Sequence, residues 1–333
     1  MTRKYRTFNY PSGVDGGKTL LTGIREVNDE HNRFYITGFY KYLNDSSPVA
    51  SFVYKGCKHG SGSWYTLDYP SSTNVTVSAT NLYGPNNGDV NGEIKVVGNY
   101  TTVEAGQKAF GCLYQGPLDG SGVWKTIIPS SSDSVINTIA HSTHGDLVVG
   151  NYDTQLNQGK AFIYDIKTDE YFEITKDGAK SITAYGIWYN GDQSYTICGG
   201  YSNLDPSSGI DSGYIVDWNS ESRELSNWRS YNYDNDPLKA MITHFDGITS
   251  DGEGGYNLTG DWVGVGVESS GLGFIANVKR RKRTGLFKKA KWGPISYPDQ
   301  LITSGNSISK YIVIGVYTSD PETEINGYIS YMK

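Results

Sequence analysis

An all-β fold is predicted by three features of this 333-residue chain. Gly supplies 41 residues and Tyr 27, while hydrophobic residues make up only 37%. Many short strands joined by tight turns suit that balance better than a helical bundle does. Charged residues reach just 19%, too few for a charge-rich disordered chain. The third feature is a short motif that recurs along the whole chain, and self-similarity at a period of roughly 50 residues marks a propeller or a solenoid.

The motif is two strand-forming residues, Gly, any residue, then an aromatic. Its copies are Ile36–Tyr40, Val96–Tyr100, Val148–Tyr152, Ile197–Tyr201, Leu258–Trp262 and Val313–Tyr317. The motif glycines are Gly38, Gly98, Gly150, Gly199, Gly260 and Gly315, separated by 60, 52, 49, 61 and 55 residues. Continuing from Gly315 through the C-terminus to Gly38 gives 56, so the spacing is even only if the two ends meet.

Each glycine has three companion strands. Upstream lies a short strand of the type Thr22–Ile24, Asn137–Ile139, Tyr185–Ile187 or Asp246–Ile248. Downstream lies a small-then-aromatic strand, as at Ala50–Phe52, Lys160–Phe162 and Leu272–Phe274. A fourth begins with an aromatic and often closes on Pro, as at Trp64–Pro70 and Trp124–Pro129. Its sixth copy, Tyr5–Pro11, sits at the N-terminus.

The expectation is a six-bladed β-propeller with four antiparallel strands per blade, forming one domain over 1–333. The expected blades are 19–72, 73–131, 132–179, 180–235, 236–299, and 300–333 together with 1–18. The N-terminal strand, Tyr5 to Tyr10, is expected to pair with the last blade and close the ring, which hides two sheet edges.

Several classes are set aside by composition. No apolar run approaches the 18 or so residues that span a bilayer. Net charge is −6, and the basic residues are not spread over a face as a nucleic-acid protein would spread them. They concentrate in Lys279–Lys291, expected to be a solvated hairpin that adds nothing to the core. Three Cys, at 57, 112 and 198, cannot build a disulfide framework. With no signal-peptide stretch visible, the expected location is cytoplasmic, secretion staying open if a leader has been removed. Neither a nucleic acid nor a membrane is an expected partner.

The chemistry is sought in the central channel, where inner strands converge. Those strands carry Thr22, Arg25, Tyr83, Asn137, His141, Tyr185, Trp188, His244, Asp246 and Asn306. Small apolar residues are the ordinary content of such strands, so this set marks a pocket. His244 and Asp246 are two residues apart and share a strand face. A carboxylate beside an imidazole raises its pKa and makes it a proton donor near neutral pH. No P-loop, Gly-x-Ser-x-Gly elbow or His-Glu-x-x-His motif is present, and no metal or cofactor is expected.

The unit resembles the HAF-type repeats of bacterial and fungal extracellular propellers. The stretches His141–Asp153, Thr183–Gly191, Tyr195–Ser202 and Thr243–Ile248 resemble a fungal propeller family that includes hetero-Diels–Alderases of natural-product biosynthesis. That resemblance implies an enzyme that dehydrates an alcohol to a quinone-methide-type diene and guides its cycloaddition to a terpenoid-type polyene. The catalytic set would then be His244, Asp246, Arg25 and His141. Substrate would be held by Tyr185, Trp188, Tyr83, Asn137, Thr22 and Asn306, in one deep, mostly apolar pocket. The alternative is a lectin-like binding propeller. That reading predicts one site per blade, built on the equivalent aromatics Tyr40, Tyr100, Tyr152, Tyr201, Trp262 and Tyr317.

Overall fold

The structure, a computed structural model, describes residues 3–11, 17–42, 49–89, 91–106, 108–156, 159–204, 210–264, 272–320 and 324–332. Arg3–Thr7 form β1. Four separate sheets of four antiparallel strands follow in chain order. The first holds β2 (Gly17–Glu26), β3 (Arg33–Tyr42), β4 (Ala50–Cys57) and β5 (Gly62–Thr66). The second holds β6 (Val77–Pro85), β7 (Ile94–Thr102), β8 (Ala109–Gly116) and β9 (Val123–Ile127). The third holds β10 (Val135–His144), β11 (Leu147–Thr154), β12 (Lys160–Asp165) and β13 (Glu170–Ile174). The fourth holds β14 (Ala179–Gly191), β15 (Ser194–Asn203), β16 (Ser212–Asn219) and β17 (Glu224–Tyr231).

The remaining strands form one nine-stranded sheet. It contains β18 (Ala240–Ser250), β19 (Gly255–Gly264), β20 (Leu272–Lys279) and β21 (Lys291–Ile295). It continues through β22 (Ile302–Thr303), β23 (Ser307–Ser309), β24 (Ile312–Thr318) and β25 (Asn326–Met332) to β1. A single parallel pair, Leu272 with Thr303, joins its two antiparallel arrays. The fold is thus an all-β propeller with four antiparallel strands per blade. The sequence predicts six separate blades, whereas four stand alone and the rest of the chain is joined in one sheet. The joint arises where β22, only two residues long, reaches back to Leu272, the first residue of β20. Strand β1 pairs with β25 from Arg3–Met332 to Thr7–Tyr328, slightly earlier than the expected Tyr5–Tyr10. No helix among the described residues is long and apolar enough to cross a membrane.

The motif glycines are explained by backbone contact. A Cβ on Gly38, Gly98, Gly150, Gly199, Gly260 or Gly315 would lie only 1.9–2.1 Å from a carbonyl oxygen of the adjoining inner strand. At those places the inner strand departs from regular pairing. Register skips Thr22, Tyr83, His141, Tyr185 and Asp246 in β2, β6, β10, β14 and β18. Each skip is a β-bulge, which re-aims the unpaired residue. The residue after the bulge is often Gly for a second reason. A Cβ on Gly23 would lie 1.9 Å from the Tyr83 carbonyl oxygen, and one on Gly247 would lie 2.8 Å from Ser307 Cα. Neighbouring inner strands therefore touch backbone to backbone, and the channel between them is narrow.

In five of the six motifs the closing aromatic fastens its repeat to the one before. Tyr40 stacks on Tyr10 at 4.1 Å, Tyr100 on Tyr69 at 3.7 Å, Trp262 on Tyr233 at 4.1 Å and Tyr317 on Tyr297 at 3.7 Å, all within 12° of parallel. Over Tyr201 the partner is Lys176, 4.7 Å from the ring centroid. These partners sit just past the fourth strand of the preceding repeat. Each contact adds roughly 0.5–1.5 kcal/mol beyond area burial.

The basic run overturns its expectation. It does join β20 to β21, but it is not inert. The Arg280 guanidinium grips Asp217 bidentately at 2.6 and 2.7 Å and donates to Tyr256 Oη at 3.0 Å. Phe287 is 2% exposed and belongs to a core cluster with Tyr256 and Ile215. Lys279 bridges Asp251 and Glu253, each at 2.7 Å. Charge counting missed this because Asp217 is distant in sequence and reaches Arg280 only after folding.

Two outcomes follow. Deleting residues 1–11 removes β1, the buried Phe8 and the Tyr10 stack, and should lower the melting temperature by roughly 10 °C; a shift of about a degree would refute the role given to β1. Arg280→Met should cost about 3 kcal/mol in urea unfolding, as removing one partner of a buried pair does. A cost under about 0.5 kcal/mol, normal for a surface change, would contradict it.

Candidate functional site

The bulges place Thr22, Tyr83, His141, Tyr185 and Asp246 around one level of the channel, and Asn306 completes the ring. Two members are occupied by the fold. Thr22 donates to the Leu82 carbonyl at 2.6 Å, and Asn306 Nδ2 donates to the Leu21 carbonyl at 2.7 Å. Each thereby ties its inner strand to the next. The aromatic members contact one another: Tyr83 lies 5.1 Å from His141, His141 4.6 Å from Tyr185, and Tyr185 5.7 Å from His244. His141 Nε2 donates to Asn151 Oδ1 at 2.7 Å. Burial pushes the His141 pKa down to about 4, with Asn151 opposing, so the ring is neutral.

Chemistry concentrates where β18 meets β19. His244 Nδ1 donates to Asp246 Oδ1 at 3.1 Å, the only direction a carboxylate acceptor permits. Asp261 stands opposite His244 in the ladder, and its Oδ1 accepts the Gly305 N–H at 2.9 Å. Ligand atoms of His244, Asp246 and Asp261 all lie within 4.8 Å of one another, close enough to hold one cation. Asp246 Oδ2 is buried without a hydrogen-bond partner. The His244 side chain keeps 31% exposure and that of Asp246 18%, so solvent reaches a site that protein surrounds. Gly200 makes room for it, since a Cβ there would stand 2.8 Å from His244 Cβ.

Two of the three groups, His244 and Asp261, hold protons unusually tightly. Burial pushes the His244 pKa down, but Asp246 and then Asp261 outweigh it and hold it at about 9. Burial, followed by repulsion from Asp246, drives the Asp261 carboxyl up to about 7, against the pull of His244 and the Gly305 N–H. Tyr185 is raised by burial and by Asp246. At neutral pH His244 is an imidazolium and Asp261 a carboxyl that still carries a proton part of the time.

Arg25 lies deeper in the channel and is 4% exposed. Its guanidinium donates to the Ile187 carbonyl at 2.9 Å and the Ile248 carbonyl at 3.3 Å. It thus reaches across from β2 to β14 and β18, so its expected role as a donor to substrate oxygen gives way to one as a cross-channel tie. Between Arg25 and the ring the enclosed space is only about 10 Å³, room for about one water. Among the described residues, the channel at this level is not the deep apolar pocket expected. Trp188 lies on the far side of this plug, 4.7 Å from His144 and 5.6 Å from Arg25, so it does not form a wall with Tyr185. Asn137 is outside the ring, its Oδ1 accepting the Ala109 N–H. His141, not Asn137, is the counterpart of Thr22. Asp261 escaped the sequence reading. Its signal was the variable position of the motif, which reads Phe39, Asn99, Asn151, Gly200, Asp261 and Val316 and holds one acid.

No protein-family model matches the chain, so the likeness to HAF-type repeats and to the fungal propeller family has no family match behind it. No curated protein matches it in sequence either. Among solved structures it is similar to a mutant Trypanosoma rangeli sialidase displaying trans-sialidase activity, with TM-score 0.55 and 9% identity. That alignment covers 98% of this chain and 56% of the sialidase, so the chain spans little more than half the sialidase's length. A mutant Bacillus subtilis levansucrase aligns with TM-score 0.46, 10% identity, and coverage of 90% and 93%. A family 117 glycoside hydrolase from Zobellia galactanivorans aligns with TM-score 0.42, 8% identity, and coverage of 99% and 90%. The sialidase likeness establishes the propeller fold and nothing about activity.

Both raised groups bind protons more tightly folded than unfolded, so each supports the fold at low pH. The Asp261 contribution is full below its ordinary 3.8 and is lost as pH rises through about 7. That of His244 is full below 6.5 and is lost as pH rises through about 9. Calorimetry should therefore show a melting temperature that falls between pH 6.5 and 9 more steeply in the parent than in His244→Gln. Parallel curves would show that His244 is not held protonated.

Proposed function

We propose that the protein is an enzyme that breaks a carbon–oxygen bond in a small oxygenated substrate, using His244, Asp246 and Asp261 at one mouth of the channel. One observation carries this reading: an imidazole and two carboxyl groups from adjoining strands meet within 4.8 Å, where solvent still reaches. Among the described residues it is the one such group. The reading takes the nine-stranded sheet as two blades, giving six blades in a single domain over 1–333.

The roles follow from position. Asp261, in its protonated form, gives its proton to the departing oxygen. The bond pair leaves with that oxygen, which departs as water or an alcohol. Asp246 faces the positive charge left on carbon and holds the Nδ1–H of His244. The imidazolium donates its Nε2–H to a second substrate oxygen and fixes the substrate's orientation. The cation is then quenched, either by adding a water that releases a proton to solvent or by losing a proton of its own, and solvent reprotonates Asp261. A dehydrating cyclase is the narrower form of this reading: loss of a phenolic proton after departure of water leaves a neutral quinone methide, ready for cycloaddition. The per-blade lectin reading has less support, because Tyr40, Tyr100, Trp262 and Tyr317 already carry a stacked ring.

Two probe classes test the proposal: an aryl glycoside that releases a nitrophenol, and an ortho-hydroxybenzyl alcohol whose quinone methide is trapped by a thiol. One class should turn over, with activity declining as pH rises through about 7, where Asp261 loses its proton. Asp261→Asn and His244→Gln should each lower kcat by roughly 10²–10⁴, the usual range for general acid–base catalysis. Turnover of neither class, or parental rates in both variants, defeats the proposal. So does activity lost in EDTA and restored by a divalent cation, which would put a metal where the proton is placed.

A further inference from the structure

The basic run takes no part in the proton-transfer site. All eight charged residues of Lys279–Lys291 are basic, in a chain whose net charge is −6. Lys279 and Arg280 are taken up by Asp251, Glu253 and Asp217. Arg281, Lys282, Arg283, Lys288, Lys289 and Lys291 are exposed, and no described carboxylate pairs with any of them. Like charges side by side repel, yet the fold holds these together. The Arg281 N–H donates to the Leu286 carbonyl and the Lys288 N–H to the Lys279 carbonyl, each at 2.8 Å. From the preceding repeat, Arg229, Tyr231 and Asn235 donate to the carbonyls of Phe287, Lys288 and Ala290 at 2.6, 2.9 and 3.0 Å. The cations are thus displayed on a fixed backbone. A ligand that binds them loses less to ordering than it would on a flexible tail.

The hairpin opens onto a cleft of about 520 Å³ between β21 and β1. Register puts Lys291 and Gly293 opposite Asn277 and Ile275, on one face of the sheet, and all four line the cleft. Arg3 lines it from β1. The Arg3 guanidinium donates to Ser330 Oγ at 3.0 Å. Burial pulls its pKa down, and only Tyr5 and Tyr328 oppose, so no carboxylate compensates it. The two acids of the cleft, Asp251 and Glu253, are both held by Lys279 at 2.7 Å. Lys291 and Arg3 therefore carry the unpaired positive charge from the hairpin into a recess.

Three classes of polyanion answer such charge, and the surroundings separate them. A flat bilayer would meet the hairpin but leave Arg3, inside the cleft, untouched. Single-stranded nucleic acid is gripped by successive rings that stack its bases. No such series is present among the described residues here. Phe287 is 2% exposed, the Trp292 ring packs inward on Phe245, Phe274 and Tyr233, and Tyr311 is the one exposed ring of the cleft. A duplex is too wide for a cleft in the size range of small-ligand sites. A slender chain that carries its anionic groups on its own rings fits both parts. We infer that the hairpin and the cleft at its base bind an acidic polysaccharide, sulfated or carboxylated, with one unit in the cleft and its neighbours along the hairpin. The site makes no demand on the reaction proposed for the trio, so either stands without the other.

Anisotropy titration of the full chain with a fluorescein-labelled heparin octasaccharide and a labelled octagalacturonate tests the inference and tells sulfate from carboxylate. An oligothymidylate of equal charge and phosphatidylserine vesicles represent the other classes. At about 50 mM salt one of the two polysaccharides should bind with a Kd of about 10 μM or tighter, and about tenfold more weakly at about 300 mM, where screening is stronger. The double variant Lys282→Gln/Arg283→Gln should weaken it about fivefold or more, and so should Arg3→Gln or Lys291→Gln at the two walls of the cleft. Lys180→Gln, which removes an exposed lysine of β14, should leave the Kd unchanged. Absence of binding by both polysaccharides at about 1 mM overturns the inference. So does tighter binding of the oligothymidylate or the vesicles, equal weakening by Lys180→Gln, or a Kd that neither cleft variant moves.

Discussion

The absence of a Cβ at six positions is the constraint on which the channel depends. Any larger residue at a motif glycine would strike a carbonyl of the inner strand. Because nothing stands there, the inner strand bulges inward over the glycine. A bulge gives up a ladder pairing and aims one side chain out of the regular alternation. The cost is shared over the ring, and the gain is a circle of side chains facing the axis. The glycine after the bulge then lets adjacent inner strands touch, so the circle is tight and the space inside holds little more than a water.

This explains what could be read from the residues and what could not. The glycines, their spacing and the wrap-around of the N-terminal strand are local patterns, and each corresponds to a strand in place. The bulge leaves no such trace. The triplet Asn137–Ile139 matches Thr22–Ile24 in pattern, although the bulged residue of that strand is His141. Partners remote in sequence were equally hidden. Tyr40 and Tyr317 have the composition of sugar-stacking platforms, and only Tyr10 and Tyr297, which cover them, show otherwise. Arg280 read as solvated charge until Asp217 met it.

Two positions per repeat are left free by the fold: the bulged residue and the one after the motif glycine. Structure asks of them only that they fit. Thr22 and Asn306 use that freedom to bond the next inner strand, and Asn151 uses it to hold His141. In β18 and β19 both positions are acidic, as Asp246 and Asp261, and His244 stands between them. The neighbouring repeat contributes an absence, because Gly200 vacates the volume that His244 fills. Asymmetry in an otherwise repeated structure thus needs few substitutions, all at sites where packing is indifferent.

The position of Arg25 decides whether the trio can give up a proton. A guanidinium beside a carboxyl favours the charged form and pulls its pKa down. Were Arg25 level with Asp261, that carboxyl would be ionised at neutral pH and unable to donate. Instead Arg25 is held deeper by the carbonyls of Ile187 and Ile248, the latter four residues along β18 from His244. Its charge is met by backbone dipoles, and burial lowers its pKa to about 10, which leaves it cationic at neutral pH. The cation that then acts on Asp261 is His244, a weaker influence than burial and Asp246 combined. Asp261 therefore stays poised near neutrality, because the fold keeps its permanent cation out of reach and sets a titratable one beside it.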